Sequence, residues 1–420
     1  MKNIDEINTK ILSGDAVVLT AEELKRMIRG GEEVRAEDVD VVTTATCAVM
    51  SGTAAILVIP VAERGAFERA EMAWLNGVPA FPGPCPNERL GVVDVIVYGT
   101  ASASRDYGGG HLFRDLVEGK TVEVRVEAEG RFFEREVTLA DISFARMFTT
   151  RSAFRNYAAM VNTRGGVVKT IFSVTGLRGP LMEATVSGSG EVNPIENDPA
   201  LRTIGVGTRV LLNGAVGYIV GEGTRSSAEC PNVSVVAEMR DMDPEFMGGF
   251  VTSAGPECIT SVAVPIPVLD EQVFRGLKVL DEEIKLPVKD VNTRVEIAES
   301  SYARVWQDAP LEVKFDAGKC RRCTLRCEVE EMCPTRAFSR GRIDRRRCFN
   351  CLTCVHLCPM QEKEYAAIEV EGVKVPIVLR QSDRSRANRL AMKLKRMIEA
   401  GKFLLTSPLQ PLRPPRQASS

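Results

Sequence analysis

Eight of the twelve cysteines fall between Cys320 and Cys358, and their spacing is that of metal ligands. Cys348, Cys351, Cys354 and Cys358-Pro359 form C-x2-C-x2-C-x3-C-P. In such a run three closely spaced thiolates wrap one face of an iron–sulfur cube, the fourth reaches a second cluster, and the proline turns the chain. Cys320, Cys323, Cys327 and Cys333-Pro334 form a looser copy, C-x2-C-x3-C-x5-C-P. The paired pattern assigns Cys320, Cys323, Cys327 and Cys358 to one [4Fe–4S] cluster and Cys348, Cys351, Cys354 and Cys333 to another. The longer loop of the first run leaves a [3Fe–4S] form open there. Two four-cysteine zinc sites are the competing reading, but zinc ribbons do not use the C-x2-C-x2-C-x3-C-P run.

The ligands sit among Lys319, Arg321, Arg322, Arg326, Arg340, Arg342, Arg345, Arg346 and Arg347. Positive charge stabilises the more negative reduced cluster and steers an acidic redox partner, donor or acceptor, to this surface. The other four cysteines, Cys47, Cys85, Cys230 and Cys258, are scattered. A disulfide framework would be spread through the fold and would need an oxidising compartment. With only His111 and His356, no site of three imidazoles can form within the chain.

The whole chain of 420 residues has a formal net charge of −2, so no bulk attraction to nucleic acid or anionic membrane is implied. The N-terminus lacks the apolar core of a signal peptide, and the apolar run 54–61 is too short to span a bilayer. The expectation is a cytoplasmic protein of two or three compact units.

The elements that must hold these residues are mixed. Thr20-Ala21-Glu22-Glu23 reads as a capping box, followed by Leu24, Met27 and Ile28 at helical spacing and a stop at Gly30-Gly31. Residues 39–44, 92–98, 122–128, 167–174 and 209–212 read as strands. Residues 63–76 and 140–157 read as helices. Residues 368–379 read as a hairpin around Gly372, and 383–400 as an amphipathic helix with Leu390, Leu394, Met397 and Ile398 on one face and a solvated basic face opposite. The proline-rich end reads as extended or disordered. Gly108-Gly109-Gly110 reads as a flexible turn rather than a phosphate cradle, because the phosphate-loop lysine is missing, and His111 as a structural histidine.

The fold class expected is α+β: a mixed, glycine-rich body over 1–310, a small ferredoxin-like two-cluster domain over 315–380, and a helix with a tail over 381–420.

Four stretches of the body are recognisable together: VDVVTTAT (39–46), YGGGH (107–111), RSAFRNYAAMVN (151–162) and NDPALRTIGVGTRVLLNGAVGYIVGEGT (197–224). They resemble the archaeal homocysteine-biosynthesis, sulfur-incorporation family. With the cysteine module attached, the chain resembles a methanogenesis-marker branch of metalloproteins found in methanogens. The resemblance implies sulfur transfer from a cysteine persulfide to the aldehyde carbon of aspartate semialdehyde. A two-electron reduction to homocysteine follows, with the electrons coming from a two-cluster ferredoxin. Fusing such a module would raise the effective concentration of the donor. A non-enzymatic factor delivering electrons or sulfur to a partner enzyme of methanogenesis is the alternative.

The family's nucleophilic cysteine corresponds to Ser51, followed by Gly52, and its second cysteine to a segment, 132–135, without a thiol. Cys47, four residues earlier, and Cys85, between two prolines, are the remaining candidate catalytic thiols; Cys47 is otherwise a buried apolar residue. In the specific block, Arg209 and Glu222 either bind the charged ends of an amino-acid-like substrate or form one structural ion pair. Gly205 and Gly207 permit close approach, of a ligand or of a turn.

Overall fold

A computed structural model describes residues 2–83, 85, 87–153, 155–307, 309–320, 326–361 and 366–412. Strand outweighs helix, and the class is α+β. A fourteen-stranded sheet carries the body, with Val41–Val49, Gly255–Pro267, Arg209–Leu212, Ala215–Glu222, Val233–Glu238, Phe144–Ser152 and Thr53–Pro60 neighbouring in that order. Val41–Val49 is buried along its length up to Ala48, as its β-branched run requires. It pairs antiparallel with Gly255–Pro267 through nine residues.

The capping box forms as read: Glu23 N donates to Thr20 Oγ1 at 3.1 Å and Thr20 N to Glu23 Oε2 at 2.7 Å. Helix Ala21–Arg29 follows. Two expected helices are strands instead. Within 63–76 the ordered element is Met72–Leu75, hairpinned to Val78–Pro82. Asn76 and Gly77 both have positive φ, the two-residue turn that matches strand twist, and Ala73 and Leu75 alternate inward. Within 140–157, Phe144–Ser152 is a central strand, bonded to Thr53–Pro60 on one side and Val233–Glu238 on the other. Its buried residues Ala145, Met147 and Thr149 have a period of two, not 3.6. The strand expected at 167–174 covers only Gly166–Val168, and the rest is loop.

The glycines before His111 are neither a flexible turn nor a cradle. They open helix Gly109–Val117, and a Cβ on Gly109 would stand 2.1 Å from Tyr98 O. The helix is wedged against Gly248–Thr252 and Gly255–Pro267.

A second sheet runs Glu296–Ser301, Lys285–Asp290, Ala158–Val161, Ala184–Ser187, Val373–Arg380, Ala367–Val370. The hairpin around Gly372 forms as expected, but Val373–Arg380 pairs in parallel with Ala184–Ser187 of the body. The boundaries expected near 310–315 and 380 therefore do not separate the packing. Among the described residues the cysteine-bearing segment 315–361 contributes short helices and one hairpin of two-residue strands, and it bonds to the body, Val251 N donating to Pro334 O at 2.9 Å.

Helix Arg384–Glu399 lies over Val41–Val49 and Gly255–Pro267, with Leu390, Leu394 and Ile398 fully buried. Its basic side is not all solvated. Arg384 is buried and pairs with Glu191 at 2.7 Å and with Asp281; Arg386 is buried beside Asp383. Buried guanidinium groups persist only with such partners. From Lys402 to Leu412 the chain runs back along the body, and Gln410–Pro411 pairs with Gly205–Val206; the rest of the proline-rich end, 413–420, lies outside the described residues. No described helix is long and apolar enough to cross a membrane.

Candidate active site and cluster ligands

A cavity of about 580 Å³ opens where Val41–Val49 ends. Its floor is the turn Met50-Ser51-Gly52. Val49 N donates to Gln381 O at 3.0 Å and Met50 N to Cys258 O at 2.7 Å, which pins the turn from both sides. Gly52 permits a close approach: a Cβ would stand 2.7 Å from Thr150 Oγ1. Thr150 N donates to Gly52 O, and Thr224 N to Thr150 O at 2.7 Å. The GEGT loop thus docks on the same strand end, with Thr224 and Arg225 on the cavity wall. Gly223 cannot be replaced without displacing Asn232, whose Oδ1 would lie 1.7 Å from the added Cβ.

One wall is a layered stack. The Arg151 guanidinium sits 5.6 Å over the Tyr157 ring, Tyr157 stacks on Phe172 at 6.1 Å and 9°, and Arg294 sits 4.4 Å over Phe172. Cation–π contact holds the two guanidinium groups at the ends of a stiff aromatic pair.

Opposite, Glu257 is 5% exposed and its side chain is hydrogen-bonded to Ser51. Its Oε2 is buried with no hydrogen-bond partner. Burial raises its pKa above the usual carboxyl value, and only the Ser51 bond opposes this. The arrangement suits an anionic ligand on the arginines and a protonatable group at Ser51.

The sequence candidates fare unevenly. Cys47 is fully buried, and burial pushes its thiol up to about 12; exposure and a depressed pKa, which a nucleophile needs, are both missing. Cys258 is likewise buried and raised to about 12. Cys85 is exposed, and the Asp94 carboxylate raises its pKa; Cys230 is exposed too. No cysteine among the described residues lines the cavity.

Arg209 and Glu222 are not an ion pair. Arg209 covers the Phe403 ring at 4.6 Å and donates to Leu404 O, while Glu222 Oε1 is buried without a partner. Gly205 and Gly207 make room for the chain's own tail, since a Cβ on Gly205 would meet Gln410 O and Pro408, and one on Gly207 would meet Leu409. None of these four lines the cavity. Arg151 and Tyr157 stood in a recognisable stretch; Glu257, Arg294 and Gln381 carried no sequence signal.

Burial raises the thiols of Cys348, Cys351 and Cys354, and the nearby Cys333 adds to the rise in all three, so the four cysteines lie close together. Asn350 N donates to Cys348 Sγ at 3.4 Å, and Thr353 Oγ1 lies 3.2 Å from Cys351 Sγ. Such donors to sulfur are what a cluster's thiolates use. No three candidate ligands among the described residues close on a single metal ion, but a four-iron cube is wider than one ion, so its ligands stand further apart. Cys320, Cys327 and Cys358 are half-buried. Cys323, with Arg321 and Arg322, lies outside the described residues.

The two regions touch. Arg380 N donates to Cys351 O at 3.0 Å, and the next residue, Gln381, lines the cavity and accepts from Val49.

A protein from Methanothermobacter thermautotrophicus is 48% identical over 96% of this chain and 94% of its own length, and is described only as uncharacterized. One from Methanocaldococcus jannaschii, also uncharacterized, is 44% identical over 92% and 98%. An L-aspartate semialdehyde sulfurtransferase of Methanocaldococcus jannaschii is 32% identical over 69% of this chain and 58% of its own length. No solved structure matches. The family described as homocysteine biosynthesis enzyme, sulfur-incorporation, matches residues 16–405, from before the buried strand to beyond the last helix. The chain belongs to that homocysteine-biosynthesis, sulfur-incorporation family.

Proposed function

We propose that this protein incorporates sulfur into a small carbonyl compound held in the cavity above Ser51, with electrons delivered through two [4Fe–4S] clusters. The observation that carries the reading is the junction at Arg380-Gln381: one hydrogen bond and one peptide unit separate a cluster-type cysteine from the cavity wall. Relatives named for aspartate semialdehyde support the class of substrate, and their names do not extend to the cysteine segment.

Cys333, Cys348, Cys351 and Cys354 would hold one cluster; Cys320, Cys323, Cys327 and Cys358 the other. Bound there, the clusters would supply single electrons. The chain's own residues do the rest. Arg151 and Arg294 orient an anionic tail, the Met50-Ser51-Gly52 turn presents the carbonyl, and Glu257 holds a proton at Ser51. The arginines around the cysteines offer a landing surface for an acidic redox protein.

Because no described cysteine lines the cavity, sulfur would enter as hydrosulfide or on a partner's persulfide. The same observation favours the second reading, a non-enzymatic electron- or sulfur-delivery factor. Anaerobic incubation of the full chain with hydrosulfide, aldehydes and a low-potential reductant separates them. Thiol product is expected from the enzyme, and none under conditions where a sulfurtransferase relative works would establish the delivery role.

A further inference from the structure

The cavity is electrically lopsided. Among the described residues its charged lining consists of Arg151, Arg225, Arg294 and the carboxyl of Glu257. Arg151 and Arg294 are fixed at the two ends of the Tyr157–Phe172 stack, and Lys289 adds a further cation 5.9 Å from the Tyr157 ring. Glu257 stands apart from them: no guanidinium contributes to its pKa, which burial raises and only Ser51 lowers. Glu257 lines the same cavity and is 5% exposed, and its buried Oε2 has no hydrogen-bond partner.

An α-amino acid bound here would bring an ammonium group among guanidinium groups, with no second carboxylate among the described lining residues to receive it. Like charges placed together in a partly desolvated site cost affinity, while guanidinium groups grip carboxylate or phosphate strongly. Glu257 cannot serve the ammonium and the reacting end together, because its partner Ser51 stands at the family's reacting position.

Resting on the sulfur-incorporation reading, we propose that the cavity takes a small aldehyde that has an oxyanion tail and no ammonium group, the tail on Arg151 and Arg294 and the carbonyl at Ser51 and Glu257. Hydrosulfide is the nucleophile. Its sulfur forms a bond to the carbonyl carbon, the π pair of the carbonyl moves to oxygen, and that oxygen takes the proton of the Glu257 carboxyl, which is left as carboxylate. The product is a geminal hydroxythiol, and no oxidant is consumed.

The test uses the full, anaerobically purified chain and two matched pairs. Calorimetry compares 4-hydroxybutyrate with L-homoserine, which differ by the ammonium group and do not react. Turnover with hydrosulfide and dithionite compares succinic semialdehyde with L-aspartate semialdehyde, and glycolaldehyde phosphate tells a phosphate tail from a carboxylate one. The expected result is at least about tenfold tighter binding of 4-hydroxybutyrate than of L-homoserine, lost in Arg294→Gln. Glu257→Gln is expected to slow thiol formation roughly a hundredfold and to remove the basic limb of its pH profile, while the preference for 4-hydroxybutyrate over L-homoserine, set by the arginines, is kept.

Equal or tighter binding of L-homoserine, preferred turnover of aspartate semialdehyde, or an unaffected Glu257→Gln would overturn the proposal. If no aldehyde gives thiol while 4-hydroxybutyrate still binds preferentially, the charge assignment is upheld and it is the sulfur-incorporation reading that fails.

Discussion

The Asn350 side-chain amide donates to both carboxylate oxygens of Asp383, at 3.2 and 3.1 Å, inside the protein. Asn350 sits between two cluster-type cysteines; Asp383 caps the last helix by accepting from Arg386 N at 3.0 Å, and its Oδ2 lies 3.6 Å from Arg386 Nε. Arg386 in turn donates to Cys348 O at 2.7 Å. One carboxylate therefore ties the cysteine loop to the helix that covers the body.

Asp383→Ala removes a cap and strips a buried guanidinium of its counter-charge. A loss of about 3 kcal/mol or more is expected in anaerobic denaturant unfolding. Asp383→Asn keeps the cap and should lose less. Equal stability of Asp383→Ala and the parent would mean the tie is not structural.

Iron analysis tests the ligand assignment. The anaerobic protein should be brown and hold about eight iron and about eight acid-labile sulfides. Cys348→Ser should affect the site of Cys333, Cys351 and Cys354 first. Stoichiometric zinc without labile sulfide would remove the electron-transfer role.

Thiol labelling separates the cysteines by burial. In the folded protein iodoacetamide should reach Cys85 and Cys230, and should reach Cys47 and Cys258 only after unfolding. Rapid labelling of folded Cys47, mapped by mass spectrometry, would restore it as the sulfur carrier.

His111 should make the protein acid-sensitive. Burial, aided by Arg336 and Arg114 and opposed by Asp115 and Asp106, holds its pKa down at about 4; its Nδ1 accepts from Gly108 N and its Nε2 has no partner. The unfolded chain takes up this proton near the ordinary value, about 6.5. The contribution is therefore complete above that pH and falls away as pH drops toward 4, by on the order of 3 kcal/mol. His111→Gln should flatten the slope of thermal stability over that interval; an unchanged slope would assign it to other groups.

Gly223→Ala should damage the cavity without touching the cysteines. The new methyl collides with Asn232, and overpacking of this kind costs about 1–3 kcal/mol. Ligand binding should weaken while the iron content stays constant.

Local rules were readable in the sequence where the physics is local. Thr20 and Glu23 announce their helix, and Glu371-Gly372, with positive φ at both residues, turns the hairpin that the alternation of 368–379 implied. Asn76-Gly77 is an equally local signal, outweighed in the sequence by the acidic and apolar residues before it, which mimic a helix. The cysteine spacing is a local signal too, and Cys333 lies near Cys348, Cys351 and Cys354. Glu257 was illegible because its character comes from burial beside Ser51, some two hundred residues away in the chain. The domain boundary was illegible for the same reason: the partner of Val373–Arg380 is Ala184–Ser187, and no local pattern encodes that pairing.

That pairing has a consequence for how the chain is made. A ribosome delivers the first 366 residues before the hairpin that completes the second sheet, and the helix that roofs Val41–Val49 comes later still. Contacts of such long separation form slowly, so folding cannot simply run from the N-terminus as the chain emerges. Until the end, the roofless strand keeps apolar surface in water, the condition that recruits chaperones. The cysteine segment emerges during this interval too, before the strand and the helix that pack beside it.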